Sequence, residues 1–134
     1  MACSIKILAV DDEQGAREFL NDLFSKKGYD IETVSTGADA LTAIDRVKPD
    51  IVLLDIGMPG MDGTEVLSRI KQKCPLLPVI MLTAYGYDDN LINKAMKLGS
   101  IGYINKNLPL AQIINTFQVL LSTVPKKYGA EGGS

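Results

Sequence analysis

The chain has 134 residues, with 14 Lys and Arg against 16 Asp and Glu, a formal net charge of −2, and no His or Trp. This length corresponds to one domain, and 46% hydrophobic residues are enough to form a core. Without His, the chain can supply no imidazole base, no His metal ligand, no Ser-His-Asp or Cys-His nucleophile and no phosphohistidine. Carboxylates, Lys, Thr, Tyr or a hard cation must therefore carry any chemistry.

The cysteine content and the hydropathy indicate where the protein works. Cys3 and Cys74 do not form a disulfide framework, and we expect both to be reduced thiols. No apolar run approaches the roughly 20 residues of a membrane span, and the N-terminus has no secretory signal pattern. We predict a cytoplasmic protein with no membrane segment. Residues 90–130 hold five lysines and no acid, but spread lysines are not a basic stripe, so we predict no direct nucleic-acid binding.

Short apolar segments alternate with segments of helical periodicity. In chain order, the predicted elements are strand Ile5–Val10, a helix that ends before Gly28, strand Ile31–Val34, helix Gly37–Val47, strand Ile51–Leu54, helix Thr64–Lys73, strand Val79–Leu82, helix Asp88–Leu98, strand Ile101–Ile104 and helix Pro109–Ser122. The stripe of the first helix includes Phe19, with Arg17 facing away, and that of the last includes Leu110. Pro109 suits a first helical turn.

A strand followed by a helix, five times over, predicts an α/β fold. We expect a three-layer, doubly wound, five-stranded parallel sheet in the flavodoxin-like order 2-1-3-4-5. Ligands bind such sheets beyond the carboxyl ends of the strands, between strands 1 and 3. Asp11, Asp12 and Glu13 follow strand 1 and Asp55 follows strand 3, so their carboxylates should converge. Clustered carboxylates need a cation, and oxygen ligands alone suit Mg²⁺, or else Ca²⁺ or Mn²⁺.

Each of these residues also has a simpler interpretation. A single acid after a strand is more often a helix N-cap or a turn residue, and Asp12 or Glu13 could simply start the first helix. Thr83, after strand 4, could cap a turn, and Lys106, after strand 5, could be a solvated loop lysine. At one edge of the sheet, however, a hydroxyl and an ammonium facing carboxylates and a divalent cation form a site for a phosphoryl group carried on one carboxylate.

Four motifs, each at its own strand end, carry a family resemblance: Ile7–Glu13, Pro49–Gly63, Met81–Ala84 and Gly102–Lys106. In this order they resemble the receiver domain of two-component response regulators, over residues 4–123. Residues 124–134 have no pattern and are predicted to be a flexible tail, the start of a linker or an artificial extension.

The resemblance implies that Asp55 accepts a phosphoryl group from a phosphohistidine on a histidine kinase or a histidine phosphotransfer domain. It also implies Mg²⁺ as cofactor, bound directly by Asp12, Asp55 and the backbone carbonyl of Gly57, and by Asp11 largely through water. The missing histidine agrees with this division of labour, because the donor imidazole belongs to the partner. The protein is then expected to be a signalling protein that promotes its own phosphorylation and dephosphorylation, and not a turnover enzyme.

The remaining motif residues are implied to bind the phosphoryl group and to respond to it. Thr83, the backbone amide of Ala84 and Lys106 would hold phosphoryl oxygens. Tyr103 would be the aromatic switch that moves inward as Thr83 is drawn to the phosphate. The switch would alter the surface formed by helix 4, strand 5 and helix 5, through which a downstream protein or output domain would be contacted.

Two departures from the family pattern concern the site itself. Receivers usually have Pro directly after the lysine, often through a cis bond, where this chain has Asn107. Because a non-proline cis bond costs about 2.5–4 kcal/mol, we expect this bond to be trans, with a possible change in the direction of Lys106. Gly57 and Tyr85 flank the route of an attacking water and are expected to alter the lifetime of the aspartyl phosphate.

The third departure concerns the surface of helix 4, strand 5 and helix 5. Many transcriptional receivers dimerise through charged pairs across this surface, but residues 90–130 contain no acid. We therefore predict no symmetric ion-paired dimer there. The surface is instead expected to meet an acidic partner, so that reversing the charges of Lys94 and Lys97 should weaken partner binding.

Other functions fit the residues less well. An aspartyl-nucleophile phosphatase would have Asp-x-Asp after strand 3, and a flavin carrier would have a phosphate-binding loop after strand 1. No dinucleotide or nucleotide loop is present. The alternative that stays open is a receiver-like protein interaction module that works without phosphorylation. Within the receiver class, a stand-alone relay protein and a receiver cut from a longer regulator are both open.

Overall fold

The computed structural model describes residues 4–57, 62–84 and 89–124. Five parallel strands form one sheet in the order β2-β1-β3-β4-β5, which confirms the predicted doubly wound topology. Each strand begins and ends within one residue of its predicted bounds. The strands are β1 (Lys6–Val10), β2 (Asp30–Val34), β3 (Ile51–Asp55), β4 (Val79–Thr83) and β5 (Gly102–Asn105).

The five helices also follow the prediction closely. They are α1 (Gln14–Lys26), α2 (Gly37–Val47), α3 (Gly63–Lys73), α4 (Asp89–Lys97) and α5 (Leu110–Ser122). Gly28 and Gly99 end α1 and α4 with φ of 92° and 111°, a region that glycine enters without strain. Pro109 was expected inside the first turn of the last helix, but its ψ of 150° is extended, so it precedes the helix as the N-cap residue.

The helices cover both faces of the sheet and bury two apolar layers. Helices α1 and α5 pack on one face, and α2, α3 and α4 pack on the other. Side chains alternate along each strand, so β1 sends Ile7 and Ala9 to the first layer and Leu8 and Val10 to the second. The central strands are buried on both sides, as their continuous apolar runs predicted.

Two predicted core residues are more exposed than expected. Phe19 is 36% exposed because it lies at the margin of the α1 stripe, about 100° around the helix from Leu20. Leu110 is 51% exposed because it begins α5, one turn before Ile113 and Ile114 reach the sheet. Both side chains therefore contribute apolar area to the protein surface.

Two other sequence predictions meet the structure only in part. No helix among residues 4–57, 62–84 and 89–124 has both the length and the apolar character to cross a bilayer. Cys74 is a free thiol, and Cys3 lies outside the described residues.

Candidate functional site: a carboxylate cluster at the carboxyl edge of the sheet

Three carboxylates meet where β1 and β3 end. Asp11 and Asp12 follow β1, Asp55 ends β3, and these two strands are adjacent and in parallel register. One oxygen of each residue lies within 4.8 Å of an oxygen of each of the others. Asp11 and Asp55 are buried, at 0% and 6% exposure, whereas Asp12 is exposed. The structure thus brings together the acids that the sequence placed at two strand ends.

The backbone holds one oxygen of each buried carboxylate. The amide of Glu13 donates to Asp11 Oδ1 at 3.1 Å, and the amide of Gly57 donates to Asp55 Oδ1 at 3.0 Å. Each residue therefore closes a short turn after its own strand, as aspartates at such positions commonly do. The two Oδ2 atoms are left to face other groups at the site.

Lys106 reaches both Oδ2 atoms from the loop after β5. Its Nζ donates to Asp11 Oδ2 at 2.6 Å and to Asp55 Oδ2 at 3.2 Å, and it lies 3.8 Å from Glu13 Oε1. Only 12% of the Lys106 side chain is exposed. Burial alone would lower the pKa of Lys106, but the hydrogen bond to Asp11 and the charge of Asp55 outweigh it and raise this pKa. Lys106 therefore stays protonated in the site.

The pKa of Asp55 is raised. Burial is the main cause, and the neighbouring charge of Asp11 acts in the same direction. The Gly57 amide and the Lys106 ammonium oppose it without cancelling it. One ammonium is thus not enough to make the ionised form of Asp55 as favourable here as it is in water.

The donor atoms of the cluster fit a hard divalent cation. Asp11, Asp12 and Asp55 offer only carboxylate oxygens, the ligand type that Mg²⁺ and Ca²⁺ prefer. Three carboxylates against one ammonium leave a net negative site, so a dication would relieve both the repulsion and the burial cost. Gly57 lies beside Asp55, and its role as a carbonyl ligand stays a prediction, as does its effect on an attacking water. Tyr85 lies outside the described residues.

The other expected phosphoryl ligands border the cluster. Thr83 ends β4, one residue beyond Leu82, the register partner of Asp55, and Ala84 follows it. The buried Thr83 hydroxyl donates to the carbonyl of Ile104 at 3.4 Å, a long hydrogen bond. Tyr103, on β5, is 45% exposed. The structure therefore places Thr83 at the same edge of the sheet as Asp55, with its hydroxyl toward β5 and with Tyr103 on the outer surface.

The loop that carries Lys106 differs in sequence from the family pattern, and its lysine reaches the carboxylates. No cis peptide bond occurs in the described residues, so the bond between Lys106 and Asn107 is trans, as predicted. With this trans bond, the Nζ of Lys106 contacts both Asp11 and Asp55, and a direction different from that in other receivers stays a prediction.

Three residues at the site were given no role of their own in the sequence analysis, although Gly63 and Asn105 lie within its motifs. Arg17, expected to face away, turns back so that its Nη1 donates to the carbonyl of Asp11 at 2.8 Å. A Cβ on Gly63 would lie 2.8 Å from the carbonyl oxygen of Asp55, so glycine lets α3 start against the end of β3. Asn105 accepts the amide of Asn107 at 2.8 Å. For Asn105, the available signal was an Asn two residues before another turn residue, whereas nothing in the sequence marked Arg17.

Known proteins resemble this chain in sequence and in fold. Residues 7–118 match the response regulator receiver domain family. Sporulation initiation phosphotransferase F of Bacillus subtilis (strain 168) is 41% identical over 108 residues, which make up 81% of this chain and 86% of that protein. The receiver domain of NtrX from Brucella abortus matches with a TM-score of 0.80 and 32% identity, covering 87% of this chain and 98% of that one.

A longer NtrX structure from Brucella abortus matches with a TM-score of 0.86 and 29% identity. It covers 98% of this chain but only 30% of the NtrX chain, so this chain spans less than a third of that protein. The family match, the relative of similar length and the clustered carboxylates agree with one another. The chain belongs to the response regulator receiver domain family and is a phosphoacceptor signalling domain of two-component phosphorelay signalling.

Proposed function

We propose that Asp55 is the phosphoacceptor of this domain. Among the three clustered acids, Asp11 is fully buried and both of its oxygens are engaged, Oδ1 by an amide and Oδ2 by Lys106 at 2.6 Å. Asp12 is exposed and has no ammonium beside it among the described residues. Asp55 combines a small exposed fraction with a looser contact to Lys106, at 3.2 Å. This environment is the observation that carries the proposal.

The donor would be the phosphohistidine of a histidine kinase or a histidine phosphotransfer domain. An Asp55 carboxylate oxygen attacks the phosphorus, a P–O bond forms and the P–N bond to the partner imidazole breaks. The imidazole nitrogen keeps the bonding electron pair and takes a proton from solvent. The absence of His from this chain supports this assignment, since the chain could not supply the donor itself.

Mg²⁺ is the proposed cofactor, held by Asp11, Asp12 and Asp55 together with the carbonyl of Gly57. When bound, it would offset the negative charge of the phosphoryl oxygens beside the carboxylates. Lys106 would move its ammonium from the Asp55 carboxylate to a phosphoryl oxygen. This displacement would be short, because the phosphoryl group would be attached to the carboxylate that Lys106 already contacts. Asp11 would keep Lys106 nearby throughout.

Thr83 and the amide of Ala84 are the proposed donors to the remaining phosphoryl oxygens. Within the described part of the chain, the Thr83 hydroxyl has one hydrogen bond to give up, the long one to Ile104, so rotation toward the phosphoryl group costs little. Its departure would open space beside β5 into which Tyr103 could turn. We propose this exchange as the switch between two states of the domain.

The signal would leave through the surface formed by α4, β5 and α5, toward a downstream protein or an output domain. Lys94 and Lys97 are exposed there, and we propose an acidic partner surface. Because Lys94 lies 4.0 Å from Asp62, reversing Lys97 alone tests the partner contact without placing two acids together. Residues 4–123 are the proposed receiver domain, and hydrolysis of the aspartyl phosphate by the domain itself is the proposed reset.

The central experiment compares the parent with Asp55→Asn after incubation with acetyl phosphate and Mg²⁺. We expect the parent to gain the mass of one phosphoryl group and to lose it on further incubation, and Asp55→Asn to gain none. With beryllofluoride and Mg²⁺, amide resonances around Thr83 and Tyr103 should shift in the parent only. A parent that gains no mass and does not respond to beryllofluoride would contradict the proposal and favour a phosphorylation-independent interaction module.

A further inference from the structure

The four residues after Asn105 form the connection that presents Lys106 to the site. Asn105 ends β5 and Leu110 begins α5, so the lysine lies in a short loop and not on a regular element. Its backbone is attached to the sheet by one bond, from the Lys106 amide to the carbonyl of Thr83 at 2.9 Å. The direction of the long side chain therefore depends on the residues that close this loop.

Asn105 accepts the other two amide hydrogen bonds of the loop. Its side-chain Oδ1 accepts the amide of Asn107 at 2.8 Å, and its carbonyl accepts the amide of Leu108 at 3.2 Å. The next residue, Pro109, has no amide to place. Every backbone donor between β5 and α5 is thus satisfied, two of the three by Asn105. A side chain that bonds its own backbone two residues on is an Asx turn, a motif that stabilises a tight reversal of the chain.

This turn holds the backbone of Lys106, and the Nζ atom at the end of its side chain contacts the site. The Nζ atom lies 2.6 Å from Asp11 Oδ2 and 3.2 Å from Asp55 Oδ2, so it is shared between two carboxylates from different strands. For Nζ to contact both carboxylates, the backbone of Lys106 must be held within a narrow range of positions. A displacement of about 1 Å at a catalytic group is enough to change a rate by up to about a hundredfold.

We propose that Asn105 is a positioning residue for phosphoryl transfer, which acts by closing the turn that directs Lys106 at Asp11 and Asp55. The inference rests on the proposed function, because it assumes that Lys106 binds the phosphoryl group. Asn105 itself does not touch the reacting atoms. Its side-chain oxygen is the part that matters, and an acceptor of similar reach should replace it.

The test compares Asn105→Ala, which removes the acceptor, with Asn105→Asp and Asn105→Ser, which keep one. Asp adds a negative charge and Ser does not, so a property shared by the two reports the acceptor and not the charge. All three keep the backbone pairing of residue 105 with Thr83 in the sheet. The measurements are the exchange rate of the Asn107 amide with deuterium, the rate of phosphorylation by acetyl phosphate, and the affinities for Mg²⁺ and for beryllofluoride.

In Asn105→Ala we expect faster exchange of the Asn107 amide, and a loss of about tenfold in phosphorylation rate and beryllofluoride affinity. The affinity for Mg²⁺ should stay within about twofold of the parent, because the carboxylates are untouched, whereas a general loss of structure would reduce it as well. Asn105→Asp and Asn105→Ser should recover most of the rate and slow the exchange again.

The outcomes separate the inference from the function on which it rests. A parent that neither reacts nor binds beryllofluoride contradicts the proposed function, and the amide exchange then still tests the turn. A reactive parent with an equally reactive Asn105→Ala overturns the positioning role. Equal losses in the Ala, Asp and Ser variants also overturn it, because the acceptor would then not be the important group.

Discussion

The environment of Asp55 disfavours the ionised form of its carboxyl group. Burial raises its pKa, with Asp11 adding to the effect, while Gly57 and Lys106 oppose it. A phosphoacceptor must be ionised to attack, so the site carries a cost that a bound dication would remove. The same cost is present in the folding equilibrium of the domain, since the unfolded chain exposes Asp55 to water.

We therefore expect Asp55→Asn to be more stable than the parent at neutral pH without divalent cations, because the ionised Asp55 carboxylate is unfavourable in the fold. The lower free energy of unfolding of the parent should be absent below the pKa of Asp in the unfolded chain, about 3.9. It should develop fully as the pH rises through the raised pKa of Asp55 in the folded protein. Urea unfolding from pH 3.5 to 8 in EDTA measures this difference. A parent as stable as Asp55→Asn at pH 8 would contradict it.

With Mg²⁺ present, we expect the parent to become more stable than Asp55→Asn. Binding to the folded parent alone adds RT ln(1 + [Mg²⁺]/Kd), whereas Asp55→Asn has lost one charged ligand and should gain less. Asp45→Asn is the matched control, because Asp45 is an exposed acid paired with Lys73 on the surface and should show neither effect.

At the scale of the elements, the position of α3 depends on one glycine. Gly63 begins α3 directly against the end of β3, where a Cβ would lie 2.8 Å from both the Asp55 carbonyl oxygen and the Ile56 Cα. Both contacts are backbone atoms and cannot rotate away. A side chain at this position must push the helix from the strand that carries Asp55.

Gly63→Ala is expected to destabilise the domain by about 1–3 kcal/mol and to weaken Mg²⁺ binding through displacement of Asp55. Gly15→Ala is the matched control, because Gly15 also lies in the first turn of a helix but has open space at its Cβ. That variant should be stabilised by about 0.5–1 kcal/mol. Thermal unfolding with and without Mg²⁺ compares the pair, and equal stabilities for the two variants would show that the contact at Gly63 is harmless.

The elements themselves were largely predictable because their signals are local. Continuous apolar runs predicted the buried strands, and Gly28 and Gly99 marked two helix ends through the positive φ that glycine permits. The errors lay at helix margins. Phe19 and Leu110 fit the periodicity, but Phe19 lies at the margin of the apolar stripe of α1 and Leu110 lies at the start of α5.

At the scale of the whole molecule, charge is distributed unevenly. The clustered acids Asp11, Asp12 and Asp55 lie at the carboxyl edge of the sheet, while β5 and α5 contain no acid at all. The helix α4 does carry one acid, Asp89 in its first turn, which the acid-free range of 90–130 left out. Exposed Met96, Tyr103 and Val119 add apolar area to the surface formed by α4, β5 and α5.

We expect no salt-sensitive dimer through this surface. Symmetric ion pairs would need acids on β5 or α5 opposite Lys94 and Lys97, and neither element has one. Sedimentation velocity of the beryllofluoride-bound chain in 0.1 M and 1 M NaCl is the measurement. A dimer that dissociates at high salt and is also lost in Lys97→Glu would contradict this, with Lys27→Glu, at the end of α1, as the control.

The sequence by itself predicted the sheet order, the bounds of α2 to α5 to within one residue and the set of candidate site residues. Hydrophobic periodicity, glycine ends and right-handed crossovers act over short stretches of chain, and together they require the strand ends to meet. Three acids, a threonine and a lysine then converge by topology alone. None of this needed a side-chain conformation.

Only the tertiary structure decided how those residues divide their contacts. Lys106 shares its ammonium between Asp11 and Asp55, Arg17 turns back to the Asp11 carbonyl, and Asn105 closes the loop behind the lysine. The contacts of Lys106 join segments that are far apart in the sequence, and the two local contacts depend on side-chain rotamers, which sequence spacing does not determine. The family could therefore be recognised from its motifs, whereas the hydrogen bond by which Asn105 is proposed to position Lys106 could be found only in the folded structure.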